Sequence, residues 1–190
     1  KLTDFGDNAH LDVKNIDAHD TKFNNENFDF VICSNVIHHL SYPLKFLKEM
    51  HRILKKNGKL IIFEPHMSLV FQIILNIMKH ENYDFDANVW DGGIPICNPN
   101  DPFDSNAATI NLLFDNKIKF EQNLGGFFSI EKDEKTECLI FLNSGGVTSK
   151  TYFIPMNDLM LKILNCVDNL LVKYFPNIFG MGRKIVLKKI

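Results

Sequence analysis

Apolar and polar residues follow a regular pattern in the first third of the chain, and the period of that pattern changes twice. Phe28 to Cys33 is a short apolar run of the kind that forms a strand buried on both faces of a parallel sheet. From Leu44 to Leu54 apolar residues recur at spacings of three and four, which predicts an amphipathic helix that ends at Asn57-Gly58. A second apolar run covers residues 59–63. The pattern therefore predicts one β-α-β unit.

The rest of the chain has a weaker pattern, with one long irregular segment. Apolar periodicity predicts helices over residues 68–80, 107–114 and 158–175. Apolar runs predict strands over residues 11–16, 127–132, 137–142 and 184–188, with a charged turn at 133–135. Residues 81–105 are rich in Asn, Asp, Pro and Gly and contain the only Trp, which is typical of a loop that covers a binding site.

Length and composition favour one domain. With 190 residues and 45% hydrophobic residues, the chain can bury a sizeable core, so we expect a single domain over residues 1–190. It would carry an irregular insertion at about 81–105 and a helical insertion at about 155–176. Four cysteines lie far apart without a paired motif, which indicates reduced thiols in a cytoplasmic protein.

Charge and hydropathy exclude some partners. A formal net charge of −2 gives no electrostatic basis for binding nucleic acid. No run reaches the roughly 18 to 20 apolar residues of a membrane span. The apolar helices predicted at 68–80 and 158–175 would cover a substrate pocket or a partner in a homodimer; peripheral contact with a membrane is the costlier explanation.

Polar residues follow both strands of the β-α-β unit. Ser34 and Asn35 come after the first strand, and Glu64 ends the second. Because open α/β sheets bind ligands at the carboxyl ends of their strands, these three residues are candidate binding residues. Glu64 would orient or deprotonate a substrate, or else cap the helix that follows Pro65. Trp90, in the irregular segment, is a candidate substrate contact, with packing as the alternative.

His38 and His39 are the candidate catalytic residues. Adjacent histidines seldom chelate one ion well, and no Cys, Asp or Glu lies at a supporting spacing, so we predict no metal. An imidazole titrates near neutrality, so either residue could act as a general base or as an orienting donor. In the alternative, one histidine packs and the other is solvated.

Two blocks, FDFVICSNVIHHL and FLKEMHRILKKNGKLIIFEP, resemble a class I S-adenosylmethionine-dependent methyltransferase of the methyltransferase type 11-like kind. The resemblance implies an α/β fold, a Rossmann-like, doubly wound and mostly parallel sheet with a terminal antiparallel strand. Residues 28–65 would then be its fourth strand, the following helix and its fifth strand. Residues 143–147 are similar to a subgroup with a long insertion before its last strands.

The resemblance also implies a cofactor site for S-adenosyl-L-methionine. Asp4 matches the acidic residue that binds the ribose hydroxyls, and a carboxylate suits that role because it can accept two hydrogen bonds. Asp17 and Ala18 match the segment that lies against adenine, while Ser34 and Asn35 would line the methionine portion. Each Asp could instead only cap a turn.

The chain departs from that family in one respect. The family has a Gly-rich loop before the residue that Asp4 matches, and no such pattern occurs in this chain. We therefore expect an N-terminally incomplete fold, either a fragment of a longer enzyme or a natural truncation that binds cofactor poorly. The implied function is methyl transfer to a small-molecule acceptor. The alternative is a non-catalytic, methyltransferase-like binding or regulatory module. A nicotinamide-dependent oxidoreductase is disfavoured because its Gly-rich fingerprint is missing as well.

Overall fold

A computed structural model describes residues 1–79, 81–143 and 154–190. Within these ranges, four strands and seven α-helices occur, with a 3-10 turn at Ile37–His39. The strands are β1 (Phe28–Ser34), β2 (Leu54–Pro65), β3 (Phe128–Thr136) and β4 (Gly182–Lys189). The helices are α1 (Pro43–Ile53), α2 (Leu69–Met78), α3 (Thr109–Phe114), α4 (Lys117–Leu124), α5 (Leu139–Asn143), α6 (Asp158–Tyr174) and α7 (Pro176–Phe179).

The four strands form one sheet in the order β1-β2-β4-β3. β1 and β2 are parallel, whereas β4 runs antiparallel to both of its neighbours. The predicted α/β class is confirmed, with its mostly parallel sheet and terminal antiparallel strand. β1 and β3 are the edges of the sheet within the described ranges.

One face of the sheet carries most of the core. Leu60 and Ile62 of β2 and Ile185 and Leu187 of β4 are fully buried and form one apolar cluster with side chains of α1, α3 and α4. The side chains of β1 that alternate with the core residues are exposed, 61% for Phe30 and 68% for Ile32. A second cluster, around α2 and α6, lies beside the first.

The end of α1 differs from the prediction. The helix ends at Ile53, and Leu54 already has strand dihedrals and pairs with Phe28. The register then shifts, because Phe30 pairs with Lys59. Gly58 lies in this shifted segment, where a Cβ would stand 2.8 Å from the carbonyl of Lys55. The close backbone contact therefore explains the glycine, and it belongs to a bulge rather than to a helix end.

The predicted turn at 133–135 is wrong, as is the strand predicted over 137–142. β3 runs without a break through the charged residues, and α5 follows it. Asp133 is held by Arg183 across the sheet, and Lys135 donates to Asn177. Because β3 is an edge strand, its other charged side chains can remain in solvent.

Other predictions fare unevenly. The helices at 68–80, 107–114 and 158–175 are confirmed as α2, α3 and α6, and Ser68 caps α2 by accepting from the Phe71 amide. The strand at 11–16 is wrong: Thr3 and Val13 form only an isolated bridge. α4 was not predicted.

Most of the motif at 143–147 lies outside the described residues. The single domain and its two insertions stay predictions. No helix in the described ranges is long and apolar enough to cross a membrane.

Candidate functional site

The chain turns sharply at the carboxyl end of β1. Asn35 has a φ of 53°, in the left-handed region that Asn tolerates better than most residues. Its amide donates to the carbonyl of Phe63 on β2, at 2.9 Å, and this bond joins the ends of the two parallel strands. Ser34 and Asn35 are both exposed at this edge. The 3-10 turn that carries both histidines follows directly.

Glu64, at the end of β2, holds that turn in place. One carboxylate oxygen accepts from the amides of Val36 and Ile37, at 2.7 and 2.9 Å. The other oxygen lies 2.6 Å from Nδ1 of His38. A buried carboxylate is costly unless hydrogen-bonded, and Glu64, only 3% exposed, has both oxygens engaged. We conclude that Glu64 positions the turn; it does not cap a helix after Pro65.

His38 is a buried imidazole between two carboxylates. A carboxylate that already accepts two amide bonds is an acceptor for His38, so Nδ1 carries a proton, and Nε2 has the lone pair whenever the ring is neutral. Nε2 lies 4.0 Å from the carboxylate of Glu81. Burial lowers the pKa of His38, but the hydrogen bond and charge of Glu64, with the charge of Glu81, outweigh burial and raise this pKa overall.

His39 joins the turn to the irregular segment. Its Nδ1 lies 3.1 Å from the backbone carbonyl of Asp104, and its ring centroid lies 4.1 Å from that of His38. The Asn106 amide donates to the carbonyl of His38, at 2.8 Å, and the Cys97 thiol approaches the carbonyl of His39. Residues 97–106 therefore pack directly against the histidine turn.

The predicted cofactor residues upstream lie in turns. The carboxylate of Asp4 accepts from the Gly6 amide at 2.9 Å, and that of Asp17 accepts from the His19 amide at 2.8 Å. Burial raises the pKa of Asp17, but hydrogen bonds from His19 outweigh it and lower this pKa overall. Ala18 packs against the main apolar cluster. The contacts of these residues with a cofactor stay predictions.

Glu49, on α1, fixes the segment that follows Asp17. Its carboxylate accepts from the amide and hydroxyl of Thr21 and from the guanidinium of Arg52. Burial raises the pKa of Glu49, but the bonds from Arg52 and Thr21 outweigh it, and the pKa falls to about 2. Sequence reasoning missed Glu49, because a Glu on the predicted polar face of a helix is expected to be solvated.

The irregular segment contributes residues that sequence reasoning also missed. Glu81 and Asp104 reach the histidine turn from far along the chain, and no spacing in the sequence pointed to either. Trp90 is half-buried and packs against the main apolar cluster, next to the fully buried Val89. This agrees with its packing alternative, and a substrate contact by Trp90 stays a prediction.

These features define a class of protein. A mostly parallel α/β sheet with polar side chains at the carboxyl ends of adjacent strands is a Rossmann-like ligand-binding fold. Residues 2–62 match the family model described as a methyltransferase domain. The resemblance to class I S-adenosylmethionine-dependent methyltransferases is confirmed, and S-adenosylmethionine is the cofactor that this family uses.

Individual relatives match only in part. The chain is 45% identical over 58 residues to an uncharacterised protein of Methanocaldococcus jannaschii, covering 30% of this chain and 25% of that protein. It is 31% identical over 75 residues to a probable polyketide synthase of Dictyostelium discoideum, covering 37% of this chain and 3% of that one. The matches thus span a quarter or less of these relatives.

A solved structure shows the same fold over most of the chain. A SAM-dependent methyltransferase from Archaeoglobus fulgidus superposes with a TM-score of 0.54 at 18% identity, covering 98% of this chain and 74% of that one. At this identity the similarity concerns the fold alone.

Proposed function

We propose that the protein transfers a methyl group from S-adenosylmethionine to a small-molecule acceptor. One observation carries the proposal: the turn after β1, inside the segment matched by the methyltransferase-domain model, is fixed by Glu64 at the end of β2. Ligands bind at such strand ends in open α/β sheets.

On the cofactor side, we assign Asp4 to the ribose hydroxyls and Asp17 with Ala18 to the adenine. Ser34 and Asn35 would line the methionine portion. The exposure of Ser34 and Asn35 and the sharp turn at Asn35 support the last assignment, because backbone groups there remain accessible to a ligand. The bonds between Glu49 and Thr21 support the adenine side by fixing the adjacent segment.

We assign the turn that carries His38 and His39 to the side of the site where the methyl acceptor binds. In the reaction, a lone pair of the acceptor attacks the methyl carbon, the carbon–sulfur bond breaks, and its electron pair stays on sulfur. The proton of the acceptor passes to a base or to water. His38 and His39 would serve as that base or as orienting donors, with Glu64 positioning His38. The sulfonium donor is already activated, so alignment supplies much of the rate.

Calorimetric titration of S-adenosylhomocysteine into the complete gene product tests the proposal. We expect binding of one ligand per chain. Asp4→Asn keeps the side-chain oxygen that accepts from Gly6 but removes the charge, and we expect binding about tenfold weaker. Asp7→Asn is the matched control, because it removes the same charge three residues away, where Asp7 pairs with Lys14.

Two outcomes would overturn the assignment. If the folded gene product binds neither S-adenosylmethionine nor S-adenosylhomocysteine, the enzyme proposal fails and a non-catalytic binding module takes its place. If Asp4→Asn and Asp7→Asn bind the ligand equally well, the ribose assignment of Asp4 fails. Circular dichroism of each variant checks that the chain is folded.

A further inference from the structure

Three metal-ligating side chains meet at the histidine turn. His38, His39 and Glu81 each offer one ligand atom, and these atoms all lie within 4.8 Å of one another. His38 is buried, and the other two are half-buried. The prediction of no metal had two grounds: adjacent histidines seldom chelate one ion well, and no carboxylate lies near them in sequence. The fold removes the second ground, because it brings Glu81 to the histidines from the irregular segment.

In both imidazoles a hydrogen bond engages Nδ1, which leaves Nε2 as the nitrogen that could bind a metal. Nδ1 of His38 donates to Glu64, and Nδ1 of His39 donates to the carbonyl of Asp104, which can only accept. Each neutral ring therefore has its lone pair on Nε2. Two such lone pairs beside the carboxylate of Glu81 are a donor set that suits a metal cation.

The partners of the two Nδ1 atoms are those that metal-binding histidines usually have. A ligating imidazole almost always donates its other N–H to a carboxylate or a backbone carbonyl, which fixes the ring and raises its basicity. Here His38 has the carboxylate of Glu64, and His39 has the carbonyl of Asp104. Glu64 is itself held by two amides, so the support is rigid.

We propose that Nε2 of His38, Nε2 of His39 and the carboxylate of Glu81 bind one divalent transition-metal ion, with zinc as the reference ion. Two histidines and one carboxylate form a known set for zinc, with bonds of about 2.0 to 2.2 Å and a further position open. Ligand atoms of tetrahedral zinc stand roughly 3.3 Å apart, so the three atoms, now within 4.8 Å of one another, would have to approach by at most roughly 1.5 Å. Side-chain rotation can supply such a shift. A bound ion would take both lone pairs, so the histidines would then not serve as bases.

Zinc binding can be measured without any cofactor. The complete gene product, purified without a histidine tag and stripped with a chelator, is titrated with zinc chloride by calorimetry. Bound metal is then counted by mass spectrometry after gel filtration. Cobalt in place of zinc reports imidazole ligation through its visible absorption. We expect one ion per chain.

Variants assign the ligands. We expect His39→Gln and Glu81→Gln to weaken zinc binding at least about tenfold, and Glu64→Gln to weaken it roughly 10- to 100-fold by releasing His38. His10→Gln is the control, since His10 is exposed and outside the cluster, and it should bind zinc as the wild type does.

The inference fails if the folded wild type retains no zinc. It also fails if all four variants bind zinc equally, because the ion would then lie elsewhere. Zinc binding without binding of S-adenosylhomocysteine would sustain the metal site and overturn methyl transfer, so the two proposals fail separately.

Discussion

Glu64 and Arg183 lie opposite each other in the register of β2 and β4, and both are 3% exposed, yet they do not pair with each other. The Arg183 guanidinium donates to both oxygens of Asp133, at 2.7 and 2.8 Å, and to Asp115. Glu64 accepts instead from two amides and from His38. Two buried charges side by side thus belong to two separate networks.

The two networks differ in whether their charged groups pair with one another, and we propose that the network of Arg183 serves the fold and that of Glu64 the binding site. Burial lowers the pKa of Arg183, but Asp133 and Asp115 outweigh it and raise the pKa, so the charge is kept and each donor group has a carboxylate. We call this network closed because its charged groups pair with one another. The network of Glu64 ends instead at His38, whose Nε2 lies 4.0 Å from the carboxylate of Glu81, in a cluster that also contains His39. An open network of this kind is where we expect binding and chemistry.

Breaking the closed network should cost the most stability. Arg183→Met leaves Asp133 partly buried without its cation, and we expect a loss of about 3 kcal/mol in the free energy of unfolding. Urea denaturation measures it. Lys184→Met, on the half-exposed side of the same strand, is the control and should change this free energy by less than about 0.5 kcal/mol. Equal losses in both variants would contradict the comparison.

His66 lies beside the closed network and should make it sensitive to acid. Burial is the main cause that lowers the pKa of His66, and the charges of Lys135 and Arg183 lower it further, to about 4. The unfolded chain takes up the proton near pH 6.5, so stability is constant above that pH and falls from there towards pH 4. The loss should be at most about 3 kcal/mol.

His66→Leu should flatten this dependence, since the buried Nδ1 has no partner among the described residues. Denaturant midpoints between pH 4 and 7 provide the measurement. A variant that keeps the acid slope of the wild type would show that His66 is not its source.

Glu49, like Asp133, is a carboxylate held by an arginine, and we expect it to serve the fold in the same way. Glu49→Gln should cost about 2 kcal/mol at neutral pH, because it loses charge-assisted bonds to Arg52 and Thr21. With a folded pKa of about 2, the advantage of the wild type exists above pH 4.5 and disappears as the pH falls towards 2. Glu121→Gln, on an exposed position of α4, is the control. A cost that does not change with pH would argue against ionised Glu49 as its source.

The sequence predicted the parts of the fold that depend on nearby residues. β1, α1 and the core of β2 follow from apolar runs and helical spacing, and Ser34, Asn35 and the histidines could be named because strand ends carry them. The sequence could not predict that the charged residues 133–135 continue a strand. Asp133 is held there by Arg183, which lies far along the chain. Glu81 and Asp104 were missed for the same reason: an irregular segment has no period that shows where it returns.

The central claim is that Glu64 serves the binding site while Arg183 serves the fold. Titration of S-adenosylhomocysteine into Glu64→Gln and Arg183→Met, at a temperature where both remain folded, tests it most directly. We predict that Glu64→Gln binds the ligand about tenfold more weakly than the wild type, because its neutral oxygen holds the Val36 and Ile37 amides less strongly and its amide nitrogen cannot accept from His38, whereas Arg183→Met binds it equally well. Wild-type affinity in Glu64→Gln would contradict the account.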